Sequence, residues 1–488
     1  MTKGLTKKIL IAAVLVAALS VVFFISFQYA FLVDFPIGHD AGHHVATALK
    51  IEQRGFFNLK ILKSSIYPIP LLIFSLFHKI SGMAWPKLFI NTICLFLFLT
   101  AAAWAYFTTR ITNNWQIGII SGVFLASSRW LADALRIGFI TEAWAWLVFV
   151  LAAFCLVKQK FWPLIIVLIL LFFSHPLVFS VFILTLIIYS MVIFITKSAS
   201  PEKLFLAKVF SVLIMVGLGI IIFFPQWLNH LLSLAQAGRL EGARSLLQIA
   251  LDSDKYRIFL YLVSIFGVFK AASWWPKREI KYLYSLLLVS LGLVQLHLLG
   301  INFWEFRFYP YLEMSMAFFA AIGLFNLIKT LVDLVKWKYN YLVSATLLIL
   351  LTIILILPNL KVNRAIALWQ SENYQLLAVC PPQDRQAFDW VKNNTPAKSR
   401  FLSPTKWGAW LEPLAERRVY QWDGFFNPAV SEEKVFKVIK KYRTHYLYFS
   451  SVQPPNPVIE KDQKNFGKIY QKDGVRIYRV MIYYQKSK

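Results

Sequence analysis

Apolar residues run along this chain in long unbroken blocks, without the spaced stripes of a soluble helix or the alternation of a half-buried strand. The blocks lie near 9–33, 88–109, 115–131, 141–157, 161–175, 176–196, 204–225, 257–274, 280–300, 307–328 and 341–358. Crossing a bilayer takes about 20 apolar residues, so the pattern predicts about eleven transmembrane helices. Helices are expected because a backbone in lipid must satisfy its own hydrogen bonds, and barrel strands would read as short alternating segments. The stretch "SIYPIPLLIFSLFHKIS" (65–81) is shorter and holds Pro68 and Pro70, which suits an interfacial or re-entrant segment.

Threading the blocks alternately from a cytoplasmic, basic start ("MTKGLTKK") places "RITNN", "KQK", "KSASPEK", "KAASWWPKREIK" and "KTLVDLVKWKYN" in the cytoplasm. These are the short Lys/Arg-rich loops, as the positive-inside rule requires. Counting 65–81 as a span would invert them. The first block is too long for a signal-peptide core and no clear cleavage site follows, so it reads as a retained span. A long first external loop at 34–87 and residues 359–488 then lie outside the cytoplasm.

After Pro358 the pattern changes. "PPQDRQAFDWVKNNTP" and "SEEKVFKVIKKYR" have helical periods, the second with acids first and bases last, matching the helix dipole. "SRFLSP", "RRVYQW", "THYLYFS", "KIYQ" and "VRIYRVMIYY" read as strands, rich in β-branched and aromatic residues. The expected architecture is therefore an all-α polytopic membrane domain (1–358) followed by a small extracytoplasmic α/β domain (359–488).

Composition agrees with the pattern: 58% of residues are hydrophobic and only 15% charged, against about 25% charged in soluble proteins. The formal charge of +27 is accounted for by Lys and Arg flanking spans and meeting anionic headgroups. No compact basic module is visible, so nucleic acid is not an expected partner. Cys94, Cys155 and Cys380 are far apart and form neither a disulfide framework nor a thiolate metal site.

On the expected topology the remaining ionisable groups gather at one face. Asp34, His39, Asp40, His43 and His44 are in the first loop; Arg129, Asp133, Arg136 and Glu142 lie between the third and fourth spans; His175 sits in "FFSHPLVFS"; Arg239, Glu241 and Arg244 are in "QAGRLEGARS"; Glu305 and Arg307 are in "NFWEFRFYPYLE". Ionisable groups near membrane depth are costly, which makes each a functional candidate. Plainer roles stand beside that reading: span-end arginines anchor headgroups, His175 bonds a neighbouring carbonyl, Arg239, Glu241 and Arg244 form a solvated helix face, and Asp34 ends the first span. In "HDAGHH", a helix starting near His39 would put Asp40, His43 and His44 on one face. That set suits a divalent cation, with Asp40 and His44 as ligands and Mg²⁺ or Mn²⁺ the expected ion, or a hydroxyl to be deprotonated. The plainer alternative makes Asp40 an N-cap.

An acidic first external loop with "HD…HH…A", the following "IYP", a "SHP" on a middle span, a late "R-F-Y-P" and a C-terminal α/β tail together resemble the GT-C superfamily of membrane glycosyltransferases. Within it, the first loop is most similar to prokaryotic membrane proteins labelled as 6-pyruvoyl-tetrahydropterin-synthase-related. The resemblance implies an integral protein of a prokaryotic plasma membrane that transfers a sugar, by inversion, from a polyprenyl-phosphate-linked donor to an extracytoplasmic acceptor (lipid, glycan or protein). It implies Asp40 as base or metal ligand, Asp34 as a weaker second acid, and Arg307 as the contact to the lipid-linked phosphate. Arg136, His175, His43, His44, Glu305 and Trp304 are further substrate-binding candidates, and Trp407 and Trp410 offer aromatic faces for sugars. The family's acid pair in the first loop and its WWDYG motif are absent; "KWGAW" stands in the comparable place. A flippase for lipid-linked sugars and a non-catalytic envelope-assembly scaffold of the same superfamily are the competing classes. The flippase predicts mid-span charges and paired broken helices.

Overall fold

The computed structural model describes residues 2–27, 30, 35–36, 39–56, 67–196, 200–223, 257–299, 307–335, 340–372, 380–404, 408–422, 430–453 and 456–481. The described chain is mostly helical and forms a polytopic membrane domain. Five of its helices are long and apolar enough to cross a membrane: Trp85–Thr112, Ile140–Val157, Pro176–Ile195, Tyr309–Leu334 and Val343–Ala365. Val16–Ser26, Pro68–Ser81, Trp115–Ala126, Phe161–Ser174 and Leu260–Ala272 are shorter apolar helices.

In chain order the helices are α1 (Thr2–Ser26), α2 (His39–Arg54), α3 (Pro68–Ser81), α4 (Trp85–Thr112), α5 (Trp115–Ala126), α6 (Arg129–Ile137), α7 (Ile140–Val157), α8 (Phe161–Ser174), α9 (Pro176–Ile195), α10 (Ser200–Phe223), α11 (Arg257–Ala272), α12 (Arg278–Val294), α13 (Tyr309–Val335) and α14 (Asn340–Glu372). Asn113 in the left-handed region ends α4 and Asn114 caps α5 by accepting from the Gln116 and Ile117 N–H groups, so the two helices fold back as a hairpin. Inside it Trp104 Nε1 donates to Ser121 Oγ at 3.0 Å. The buried indole thus keeps its bond while its ring fills the core. Helices α11 and α13 cross with almost no side chain between them: a Cβ on Gly267 would sit 1.7 Å from the Phe319 carbonyl oxygen, and one on Gly323 2.1 Å from that of Val263. Close approach through small residues replaces the hydrophobic drive that lipid does not supply.

Two apolar blocks differ from their expected extent. The block at 115–131 stops at Ala126, because Ser128 accepts from the Leu131 N–H and caps a separate helix, α6. That helix is amphipathic: Leu131, Ala132, Ala134 and Leu135 are buried, while Arg129 and Asp133 pair at 3.6 Å on the open side. The composition change at Pro358 falls inside α14, which runs on to Glu372. The extension is tied down where Asn363, fully buried, donates to the Ser127 carbonyl at 3.2 Å, at the break between α5 and α6.

Residues 380–481 carry a five-stranded sheet and four helices. These are α15 (Pro382–Asn394), β1 (Arg400–Ser403), α16 (Leu411–Ala415), β2 (Arg418–Gln421), α17 (Glu432–Tyr442), β3 (Tyr446–Phe449), α18 (Pro457–Lys461), β4 (Phe466–Lys472) and β5 (Val475–Val480). The strand order is β2-β1-β3-β5-β4, with β1 parallel to both β2 and β3, and β5 antiparallel to β3 and β4. Period-two alternation splits the strand residues between two faces. Phe401, Tyr446 and Tyr448 join the core shared with α15 and the membrane helices, and Leu402, Leu447 and Phe449 pack on Val435 and Ile439 of α17.

Candidate functional site

Five segments converge at one end of the bundle. Helix α7 begins with Ile140, Thr141 and Glu142, so a carboxylate lies in its first turn, buried to 7% exposure. His175 is the extended residue between α8 and α9, where Pro176 ends one helix and starts the next. Arg307 lies two residues before α13. The Glu142 Oε1 atom accepts from Arg307 NH1 at 3.0 Å and lies 3.1 Å from His175 Nε2, and Oε2 accepts from Thr141 Oγ1 at 3.0 Å. The guanidinium also lies over the Phe139 ring, 5.1 Å from its centroid. A carboxylate between a guanidinium and an imidazole is the arrangement that makes a buried charge tolerable.

Tyr67 stacks on the buried His175, with centroids 4.8 Å apart and planes within 10°, and His44 meets the Tyr67 ring edge to face at 6.1 Å. Burial pushes the Tyr67 hydroxyl well above the ordinary phenol range, with the charges of Glu142 and Asp40 adding to that and Arg307 opposing it. The ring therefore keeps its proton near neutral pH and can donate a hydrogen bond. Asp40, Glu142 and Arg307 all act on this one hydroxyl. His44, in turn, acts electrostatically on Glu142. A cleft lined by Trp130, Asp133, Phe139, Glu142, Trp146, Arg307 and Tyr311 opens beside the cluster, and Trp130 stacks on Tyr309 with ring centroids 4.3 Å apart.

The sequence-based candidates are placed unevenly. His175 and His44 contact the Tyr67 ring, Arg307 joins them through Glu142, and Asp40 reaches the Tyr67 hydroxyl by its charge. The His43 ring lies 3.3 Å from Gln421 of β2. Because α2 starts at His39, Asp40 lies in its first turn and not at the cap, where a negative charge faces the helix dipole favourably. His175 pairs with a carboxylate, not with a neighbouring carbonyl. Trp410 offers no face to a sugar: it is fully buried, packed at 4.5 Å on Phe35. Arg136 lies in the last turn of α6, with its side chain outside the described atoms. Asp34, Arg239, Glu241, Arg244, Trp304, Glu305 and Trp407 lie outside the described residues. Asp40 and His44 supply two donors for a cation, and among the described residues no group of three or more His, Cys, Asp or Glu converges. The described residues therefore do not complete a cation site, and no step below runs through a metal.

Two members of the cluster were not singled out as site residues from sequence. Glu142 stood only among the charges of its loop, although an acid opening an apolar block is a recognisable signal. Tyr67 carried no signal beyond the "IYP" in which it stands.

No family model and no curated protein matches the chain. Solved structures do. An oligosaccharyltransferase from Archaeoglobus fulgidus in its apo form matches at TM-score 0.52 and 14% identity, over 90% of this chain and 69% of that one. ArnT from Cupriavidus metallidurans bound to undecaprenyl phosphate matches at 0.59 and 10%, over 96% and 97%, and its apo form at 0.56 and 9% with the same coverage. At these identities the likeness shows the fold: the chain shares the fold of these two proteins, in agreement with the GT-C resemblance of its sequence.

Proposed function

We propose that the chain is a membrane glycosyltransferase that takes a sugar from a polyprenyl-phosphate donor and passes it, by inversion, to an extracytoplasmic acceptor. The observation that carries this is the convergence of Tyr67, Glu142, His175 and Arg307 beside an aromatic-lined cleft, with Asp40 in the first turn of the helix whose His44 meets Tyr67. The shared fold, including a relative solved with undecaprenyl phosphate, supports the donor class. In this reading the protein sits in a prokaryotic plasma membrane with about eleven spans, the N-terminus is cytoplasmic, and residues 1–358 and 359–488 form the membrane domain and an extracytoplasmic α/β domain.

The chemistry follows from the groups. The Asp40 carboxylate accepts the proton of the acceptor's nucleophilic group as that atom attacks the anomeric carbon. The bond from that carbon to the phosphate oxygen breaks, and its electron pair leaves on the lipid phosphate. The Arg307 guanidinium, which presents five N–H groups in a plane, holds that phosphate. Glu142 holds the guanidinium's orientation through the 3.0 Å contact and itself lies 3.1 Å from His175, so little reorganisation is needed as charge develops. The Tyr67 hydroxyl, kept protonated, donates to the same region.

Binding of polyprenyl phosphate and of the uncharged polyprenol to the nanodisc-embedded protein tests the donor assignment. The phosphate should bind at least about tenfold tighter, a difference of about 1.4 kcal/mol, and Arg307→Ala should abolish that preference. Equal affinities in the wild type would overturn it.

A further inference from the structure

Helix α2, which carries Asp40 and His44, uses a different side for each neighbour. His44 meets the Tyr67 ring at 6.1 Å, and Asp40, one turn earlier on the same side of the helix, acts on the Tyr67 hydroxyl through its charge. The side carrying Ala41, Ala48 and Glu52 faces the membrane helices: Ala41 meets the Gly138 turn, Ala48 accepts from Ser75 Oγ at 3.1 Å, and Glu52 lies 2.8 Å from His78 Nδ1. The remaining side, carrying Gly42, His43 and Lys50, faces the segment from Ala409 to Gln421. Gly42 is so close that a Cβ there would lie 2.8 Å from the Ala409 carbonyl carbon and 2.9 Å from its oxygen. Two turns on, Lys50 donates to Glu412 at 3.0 Å, and His43 meets Gln421 at 3.3 Å. Glu412 is mostly buried, at 17% side-chain exposure. A pair so placed resists salt better than a surface ion pair. Trp410, in the same segment, packs on Phe35, just ahead of α2.

We infer that the segment Ala409–Gln421 is a positioning element for the transfer site: it seats α2 through Gly42, Lys50 and His43 and so aims the Asp40 carboxylate at Tyr67. None of Gly42, Glu412 and Gln421 is a catalytic residue; each acts through the orientation of α2. The inference rests on the proposed transferase reading for its effect on rate, but the seating itself is independent of any substrate.

Two readouts on the full-length reconstituted protein separate these. Hydrogen exchange of peptides covering 39–54 reports the seating with no substrate present. Gly42→Ala and Glu412→Lys should each speed that exchange at least about tenfold, a loss of about 1.4 kcal/mol of local protection, while peptides of α7 and α9 stay as in the wild type. Pairing Glu412→Lys with Lys50→Glu restores the ion pair and should return the exchange to the wild-type rate. The second readout is transfer: kcat should fall in step with lost protection, by up to about a hundredfold for a displacement near 1 Å. Polyprenyl phosphate affinity, set at Arg307, should stay within about twofold. Unchanged exchange in both single variants, or no recovery in the double swap, overturns the inference. Changed exchange in a protein that transfers no sugar upholds the seating and removes the transferase reading instead.

Discussion

Replacing Glu142 by Gln and Arg307 by Met, singly and together, measures what the buried triad contributes. The side chains of Glu142, His175 and Arg307 are 9%, 1% and 14% exposed, and Glu142 lies 3.0 Å and 3.1 Å from its two partners. Removing one member of such a pair leaves the other charge buried and unbalanced, a loss of about 3–5 kcal/mol, whereas removing both can be nearly neutral. Glu142→Gln should be the costlier single change, because it strips both Arg307 and His175 of their carboxylate. Arg307→Met leaves Glu142 paired with His175 and should lose about 3 kcal/mol or somewhat less. The two single losses should not add: the double variant should fall short of their sum by at least about 1 kcal/mol, as for contacting residues that share a partner. Equilibrium unfolding in mixed micelles, followed by helix signal, gives the three differences. A coupling below about 0.5 kcal/mol, the range of independent sites, would refute the claim that the three groups act as one unit.

Three further outcomes follow from other parts of the molecule. Gly267→Ala should separate α11 from α13, since its Cβ would fall 1.7 Å from the Phe319 carbonyl oxygen; a loss of about 1–3 kcal/mol in the same unfolding assay is expected, and none would contradict the close crossing. His445 Nδ1 accepts from the Arg400 N–H at 3.3 Å, and burial together with the Arg400 charge lowers the pKa of the ring below its usual 6.5. The unfolded chain therefore takes up the proton first, so stability should fall as pH drops through about 6.5, and His445→Gln should flatten that part of the pH profile. Arg417, 7% exposed, donates to Thr395 Oγ1 and to the carbonyls of Lys392, Thr395, Ala415 and Glu416; Arg417→Met should cost about 3 kcal/mol by leaving those buried acceptors unpaired, and should speed proteolysis between α15 and β2.

The helices at Trp85–Thr112, Ile140–Val157, Pro176–Ile195 and Tyr309–Leu334 were legible because an apolar block near 20 residues matches bilayer thickness. The strands at Arg400–Ser403 and Tyr446–Phe449 were legible from aromatic and β-branched runs, although their place in the sheet was not. What the pattern hid was a break controlled by hydrogen bonds. The separation of α5 from α6 depends on the Ser128 cap, and a window of hydropathy averages over it. The site was half legible. Arg307, His175 and Asp40 announced themselves as polar groups in apolar surroundings. The role of Glu142 as their shared partner depends on contacts between residues 142, 175 and 307 that no local pattern encodes. Trp410 misled for the same reason: composition advertises an aromatic face, and only packing against Phe35 shows that the face is used.

In the proposed reaction Asp40 is the base of a sugar transfer from a lipid phosphate. Its most direct test incubates the purified protein with radiolabelled polyprenyl-phosphate sugars and a panel of lipid, glycan and peptide acceptors, and counts polyprenyl phosphate released together with label transferred. The wild type should release and transfer in equal amounts, and Asp40→Asn should be slower by at least about a hundredfold, the lower end of what a positioned base contributes, with donor affinity retained. Transfer at the wild-type rate by Asp40→Asn, or none by the wild type with any donor and acceptor of these classes, would contradict it.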